Sequence, residues 1–212
     1  MPNAIPSDII ALLKSLRELE VRDSTTIEVL FFMNDSESME IASRLRILTI
    51  EGLPKLTRVW EKNKNGVLIF PNLQQIFVSN CEKLETLFHA SMAKNLKRLK
   101  RIEIEYCAEL REIVQKEEDI EEKFLLPCLE KLYLWTLPQL TCFYPQTFAL
   151  ECPALNELYV VVCEELELFQ SENSMGEGNS VNKPPLFSSL EVSVHQRIYT
   201  LNCFNFLVYY SP

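Results

Sequence analysis

Apolar residues recur along this chain in one fixed frame. In residues 70–88, FPNLQQIFVSNCEKLETLF, they include Leu73, Ile76, Val78, Cys81, Leu84 and Leu87, at offsets 0, +3, +5, +8, +11 and +14. The same offsets fit from Leu99 (Ile102, Ile104, Cys107, Leu110, Ile113) and from Leu129 (Leu132, Leu134, Leu137, Leu140, Phe143). They fit from Leu155 (Leu158, Val160, Cys163, Leu166, Phe169) and from Leu45 (Leu48, Ile50, Leu53, Leu56, Val59). They fit once more from Leu16 (Leu19, Val21, Ser24, Ile27, Leu30). Of these 36 positions only Ser24 is polar, in a chain that is 47% hydrophobic, so chance is a poor explanation. The starts lie 29, 28, 26, 30 and 26 residues apart.

Positions +3 and +5 are two residues apart, so both side chains leave the same face of a short strand. Offsets 0, +3 and +5 point inward, +8 turns inward where the strand ends, and +11 and +14 line the return path. No single repeat buries its own apolar face; its neighbours must do so. The period and the L-x-x-L-x-L-x-x-C pattern are those of leucine-rich repeats. The expected fold is an α/β leucine-rich-repeat solenoid, with short parallel strands on its concave face and loops and short helices on its convex face. The solenoid is expected over residues 1–170, a flexible linker over 171–185 (SENSMGEGNSVNKPP), and a degraded terminal repeat or a divergent tail over 186–212. In that last part a frame from Leu190 puts Ser193 and His195 where Ile and Val belong, before Ile198, Leu201 and Phe204 return to register. Between the strands, 7–15 reads as a short amphipathic helix with Ser7 as N-cap, and 34–43 as a loop or short helix. Residues 61–69 read as an outer turn, 89–96 as a brief outer helix, and 115–123 (QKEEDIEEK) as an acidic insertion.

Composition narrows the chemistry. Three of the seven cysteines, Cys81, Cys107 and Cys163, share offset +8, where a small apolar residue suits a crowded inner corner. Their separations of 26 and 56 residues contain no C-x-x-C pair for zinc. Cys128, Cys142, Cys152 and Cys203 share no frame. The odd count argues against a disulfide framework, and the start MPNAIPSDII lacks the pattern of a secretory signal, so a reducing compartment is expected, the sequon at Asn34 to Ser36 going unused. The longest clean apolar runs, such as 158–163, are far below the roughly 18 residues of a spanning helix, so no membrane insertion is expected. A net charge of −9 disfavours general nucleic-acid binding. Four glycines are poor material for phosphate-cradling loops, and no cofactor is expected. The only histidines, His89 and His195, sit in no nucleophile or metal motif, so no catalytic or metal site is expected.

Segments such as FPNLQQIFVSNCEKLETLF, LKRLKRIEIEYCAELREIV and PCLEKLYLWTLPQLTCFY resemble the leucine-rich-repeat region of plant nucleotide-binding, coiled-coil class disease-resistance proteins. Two repeat flavours carry the resemblance. One is C-x-x-L at Cys81, Cys107 and Cys163; the other is L-P-x-L at 53–56 and 137–140. The resemblance spans roughly residues 5–192. It implies a cytoplasmic immune receptor whose repeats sense a pathogen effector or a modified host protein and hold a nucleotide-binding domain inactive. The chain has no G-x-x-x-x-G-K-[ST] loop, so it is not expected to be the nucleotide switch itself.

Offsets +2, +4 and +6 should line the solvated concave side. In the last four repeats these are Gln75, Phe77 and Ser79; Arg101, Glu103 and Glu105; Lys131, Tyr133 and Trp135; and Glu157, Tyr159 and Val161. Exposed aromatics there suit a protein-binding patch, although cross-strand stacking that merely stabilises the sheet would also place them so. The basic run Lys94, Lys97, Arg98, Lys100 and Arg101 suggests phosphate binding but reads first as a solvated face, since Leu96 and Leu99 within it belong to the core, and the acids of 117–122 read as a surface loop or a docking surface for a basic partner. A competing function is a stand-alone adaptor, such as the substrate-binding part of a ubiquitin ligase. An extracellular repeat receptor is disfavoured by the missing signal, paired cysteine caps and L-x-G-x-I-P pattern.

Overall fold

The computed structural model describes residues 4–5, 14–31, 40–60, 67–115, 117, 124–143, 150–166, 192–195 and 198–202. The expected helix over 7–15, apart from residues 14 and 15, which form a turn, lies outside the described residues, as do the linker over 171–185, Phe169, Cys203 and the terminal apolar run. Six coils, starting at Leu16, Leu45, Leu73, Leu99, Leu129 and Leu155, each contribute one five-residue strand to a long sheet. The strands are Glu18–Arg22, Ile47–Glu51, Gln75–Ser79, Arg101–Glu105, Lys131–Trp135 and Glu157–Val161. They pair parallel and in register, offset against the same offset: Leu48 opposite Ile76, Ile76 opposite Ile102, Ile102 opposite Leu132, Leu132 opposite Leu158. In coils 2–4 every side chain at 0, +3, +5, +8, +11 and +14 is at most 1% exposed. Burying each such side chain is worth about 1.5–3 kcal/mol. Coil 1 differs: Leu16, Leu19, Val21 and Ile27 are only partly buried. Beyond coil 6 the parallel order stops. Strand Ile198–Asn202 pairs antiparallel with Glu157–Val161, and Val192–His195 antiparallel with Ile198–Asn202.

Two β-turns recur, one at the strand exit of coils 2–6 and one at the strand entry of coils 3–6, and the first accounts for both sequence flavours. At the strand exit the amide at +11 donates to the carbonyl at +8: Leu56 to Leu53 at 3.0 Å, Leu84 to Cys81 at 3.1 Å, Leu110 to Cys107 at 3.3 Å, Leu140 to Leu137 at 3.2 Å. C-x-x-L and L-P-x-L therefore make one turn. Its second residue is Pro54 or Pro138 in one flavour, because proline presets φ for that position. At the strand entry a matching turn joins offset −3 to 0: Phe70 to Leu73, Leu96 to Leu99, Leu126 to Leu129, Cys152 to Leu155. Cys152 thus has a place in the frame after all. It is the buried −3 residue of coil 6, equivalent to Phe70, Leu96 and Leu126. The expectation that it shared no position is corrected, because the frame was read only from offset 0 onward.

The return path is not mainly loops and helices. Residues Val29–Phe31, Arg58–Trp60, Thr86–His89 and Glu112–Gln115 form a second parallel ladder, extended by Ala4–Ile5. It begins at +12, where each amide reaches the +12 carbonyl of the preceding coil: Thr57 to Glu28, Glu85 to Thr57, Arg111 to Glu85, Thr141 to Arg111, at 2.9–3.1 Å. These three or four residues are far short of the roughly 12 that sustain an independent helix, and β-branched and aromatic residues fill them. Shorter parallel pairs, Glu40–Ala42 with Val67–Ile69 and Phe124–Leu125 with Leu150–Glu151, make a third side. In coil 3 a single helical turn, Ala90–Ala93, follows the second ladder, within the expected 89–96 helix. Inside, Phe31 stacks on Trp60 at 4.7 Å and Phe70 meets Trp60 edge-on at 4.6 Å. The Trp60 indole donates to the Leu87 carbonyl at 2.6 Å, so this large ring is buried without an orphaned N–H.

One column went unread in the sequence. At +7 every coil carries a residue with positive φ: Asp23 (52°), Gly52 (65°), Asn80 (54°), Tyr106 (53°), Thr136 (53°) and Val162 (53°). The left-handed residue lets +8 turn inward, while its amide extends the sheet by one rung to the next coil's +6 carbonyl, as from Tyr106 to Trp135 at 3.0 Å. That conformation costs a residue other than glycine roughly 1–2 kcal/mol, and Asn and Asp bear it best. We expect Val162→Asn to raise stability by about 0.5–1 kcal/mol in urea melts. Gly52→Ala should lower it by about 1–2 kcal/mol, because its Cβ would lie 2.8 Å from the Asp23 carboxylate. Leu132→Asp would place an unpaired charge at a site 4% exposed, between Ile102 and Leu158. Circular dichroism should show a loss of at least about 3 kcal/mol in stability, and a fully stable Leu132→Asp protein would overturn the inward assignment.

Candidate functional site

Alternation along each strand sends +2, +4 and +6 to the side opposite the core. The in-register pairing then collects them into three rows across coils 3–6. The +2 row holds Gln75, Arg101, Lys131 and Glu157; the +4 row Phe77, Glu103, Tyr133 and Tyr159; the +6 row Ser79, Glu105, Trp135 and Val161. All are at least partly exposed except Val161, which is buried. Its expected solvated place is corrected: it pairs with Ile198 of the antiparallel strand beside it.

Five side chains form one connected string. The Arg101 guanidinium sits between two rings, 5.3 Å from the Phe77 centroid and 5.0 Å from that of Tyr133. Tyr133 meets Tyr159 at 6.0 Å, and Tyr159 meets Trp135 at 6.0 Å, both tilted. Such contacts contribute roughly 0.5–1.5 kcal/mol each. They hold the rings in place without covering them; Trp135 remains 40% exposed. Ion pairs fix the charged members. Arg101 bonds Glu103 through Nη2 at 2.5 Å, and Lys131 bonds Glu157 at 2.7 Å. The Tyr133 hydroxyl donates to the same Glu157 carboxylate. The Lys131 ammonium, then the Tyr133 hydroxyl, hold the Glu157 carboxyl below its ordinary value. Glu105 is pushed the other way, by burial and then by the adjacent Glu103 charge. Gln75 and Ser79 flank this string on coil 3. A rigid, amphipathic, partly wetted aromatic surface of this kind can bury area on a partner with little loss of side-chain freedom.

Sequence reasoning missed Tyr106, which is 47% exposed. Its ring stands at the left-handed +7 position, one residue past Glu105, where the strand pattern assigns no face.

The polar chemistry elsewhere is structural. The thiols at +8 donate to their own strand's +6 carbonyls: Cys81 to Ser79 and Cys107 to Glu105 at 3.4 Å, Cys163 to Val161 at 3.5 Å. The Cys81 thiol and burial push Cys107 up, and burial alone pushes Cys152 up to about 12. His89 shares a hydrogen bond with the Trp60 carbonyl at 3.2 Å on the second ladder. Among the described residues no group of three or more His, Cys, Asp or Glu side chains is placed to hold a metal ion, and no helix is long and apolar enough to cross a membrane.

Residues 1–108, just over half of the chain, match the family of plant disease resistance protein RPS2-like leucine-rich repeats. The chain belongs to this family. The RPS2-like match ends at the strand exit of coil 4, and coils 5 and 6 continue the same register. No curated protein and no solved structure gives a significant match. As an RPS2-like leucine-rich-repeat stack, the molecule is a protein-interaction domain of plant defence.

The thiol environments give a direct check. Iodoacetamide at pH 8 should label the half-buried Cys128 and Cys142 readily. Cys152 should react far more slowly until the protein is unfolded, since burial both shields its thiol and pushes it up to about 12. Rapid native labelling of Cys152, read by mass spectrometry, would contradict its buried −3 position.

Proposed function

We propose that this stack is the sensing and restraining domain of an intracellular plant immune receptor. Its long sheet face binds a pathogen effector or a host protein modified by one. In the resting state the domain also holds a nucleotide-binding domain, of the same or a related receptor, in its inactive form. The observation that carries this reading is the Phe77–Arg101–Tyr133–Tyr159–Trp135 string, a pre-ordered aromatic surface on a face that the core does not use. Membership of the resistance-protein family supplies the biological setting. A rigid solenoid suits the role. Binding reorders few side chains, so more of the contact energy is available to choose between the resting partner and the incoming one.

The experiment is co-expression in leaf tissue with the nucleotide-binding domain of a plant resistance receptor, followed by quantitative co-purification. The native chain should retain that domain. A Trp135→Ala/Tyr159→Ala variant should keep its circular dichroism spectrum yet lose about tenfold or more of the retention. Equal retention by native and variant chains would remove the sheet face from the proposal, and no retention by either would remove the restraining role.

A further inference from the structure

A second surface lies along one rim of the stack, where the chain turns into each strand. At offsets −2 to +1, coil 1 carries Lys14 and Arg17, coil 2 carries Arg44 and Arg46, and coil 4 carries Lys97, Arg98 and Lys100. Coil 3 places Pro71, Asn72, Leu73 and Gln74 there, so these sixteen positions hold seven cations and no acid. All seven side chains are exposed. The whole chain has a net charge of −9, so everything outside these seven cations carries −16. Seven like charges on one edge of an acidic protein are not a dispersed solubilising coat.

Parallel stacking assembles them. The +1 residues lie in one row, bonded amide to carbonyl from coil to coil: Arg46 to Arg17 at 2.6 Å, Gln74 to Arg46 and Lys100 to Gln74 at 2.8 Å. Successive strands are about 4.8 Å apart, so cations more than 80 residues apart in sequence stand within a few strand spacings. Little among the described residues neutralises them. Among the described residues Lys100 pairs with Glu130 at 2.9 Å, and Arg98 donates to the Asn72 side chain at 3.1 Å. Lys14, Arg17, Arg44, Arg46 and Lys97 hold no described acid.

We propose that this rim is a docking surface for an acidic polypeptide segment, distinct from the aromatic sheet face and independent of what binds there. Four of the seven cations are arginines, whose planar fork receives a carboxylate in two parallel hydrogen bonds. Charge complementarity selects the partner. Clustered Asp and Glu side chains meet the rim's +7, while basic or neutral chains gain nothing there. Polypeptide is favoured over single-stranded nucleic acid because those sixteen positions carry no aromatic side chain on which bases would stack.

The test uses the full chain and a fluorescein-labelled polyglutamate peptide, with binding read by anisotropy at low and moderate salt. The native chain should bind at low salt despite its own net negative charge, and weaken as salt rises. Arg44→Glu/Arg46→Glu should weaken binding about tenfold or more, and Arg17→Glu/Lys97→Glu should do the same from two other coils. Both pairs are exposed, and circular dichroism checks that each variant is folded. Lys83→Glu, exposed at the opposite strand-exit turn, and Trp135→Ala should leave binding unchanged. That last control separates the rim from the sheet face. Absence of binding by the native chain, equal loss with Lys83→Glu, or tighter binding of an oligothymidylate through the same arginines would each overturn the proposal.

Discussion

Everything in this stack depends on the inner column of aliphatic side chains being covered by the coils on either side. The evidence is the contrast between coil 1 and coils 2–4. The same offsets carry the same kinds of residue, yet Leu16, Leu19 and Val21 are partly buried while Leu45, Leu48 and Ile50 are sealed. Chemistry does not distinguish the two sets. What distinguishes them is a neighbouring long-sheet strand on both sides for coil 2 and on one side for coil 1. Stability in such an array is a sum over adjacent contacts, and the aromatic layer of Phe31, Trp60, Phe70 and Phe88 adds to those that join coils 1, 2 and 3.

Hydrogen bonding fixes the geometry that this burial requires. In coils 3–5 the +1 and +7 amides bracket the five-residue strand, and the two turns, −3 to 0 and +8 to +11, set its ends. The thiols at +8 add a bond to the +6 carbonyl of the same coil. Cysteine there fills an inner corner and donates to the same carbonyl that receives the neighbouring coil's +7 amide. Local strain at Tyr106, Thr136 and Val162 persists because the residues on both sides are held by this network.

The legible part of the fold was the part with a strict period. Offsets 0 to +8 alternate cleanly, so strand position, register and inward face follow from Ile76, Ile102 and Leu132 and their equivalents. The second ladder was not legible because +14 and +15 are both buried, as in Val59 and Trp60 or Leu87 and Phe88. That pairing hides the two-residue alternation by which a strand is recognised. The left-handed column was hidden because only three of its six members, Asp23, Gly52 and Asn80, are of types that favour it, and Tyr106, Thr136 and Val162 are not. Cys152 escaped because its equivalents are Phe70, Leu96 and Leu126, which share size and burial but not chemistry. On the sheet face, the aromatic candidates could be placed from alternation. The position of Arg101 between Phe77 and Tyr133 could not, since it depends on rotamers and on three coils at once.

The strict alternation of the long sheet has a consequence for how such a protein changes over generations. Ile104 and Glu105, or Leu134 and Trp135, are adjacent in the gene but face opposite constraints. One is sealed against two neighbours; the other touches solvent. Selection on what the surface meets can therefore rewrite every second residue of a strand while the intervening ones stay unchanged. New recognition can arise by point substitution, with the architecture inherited intact.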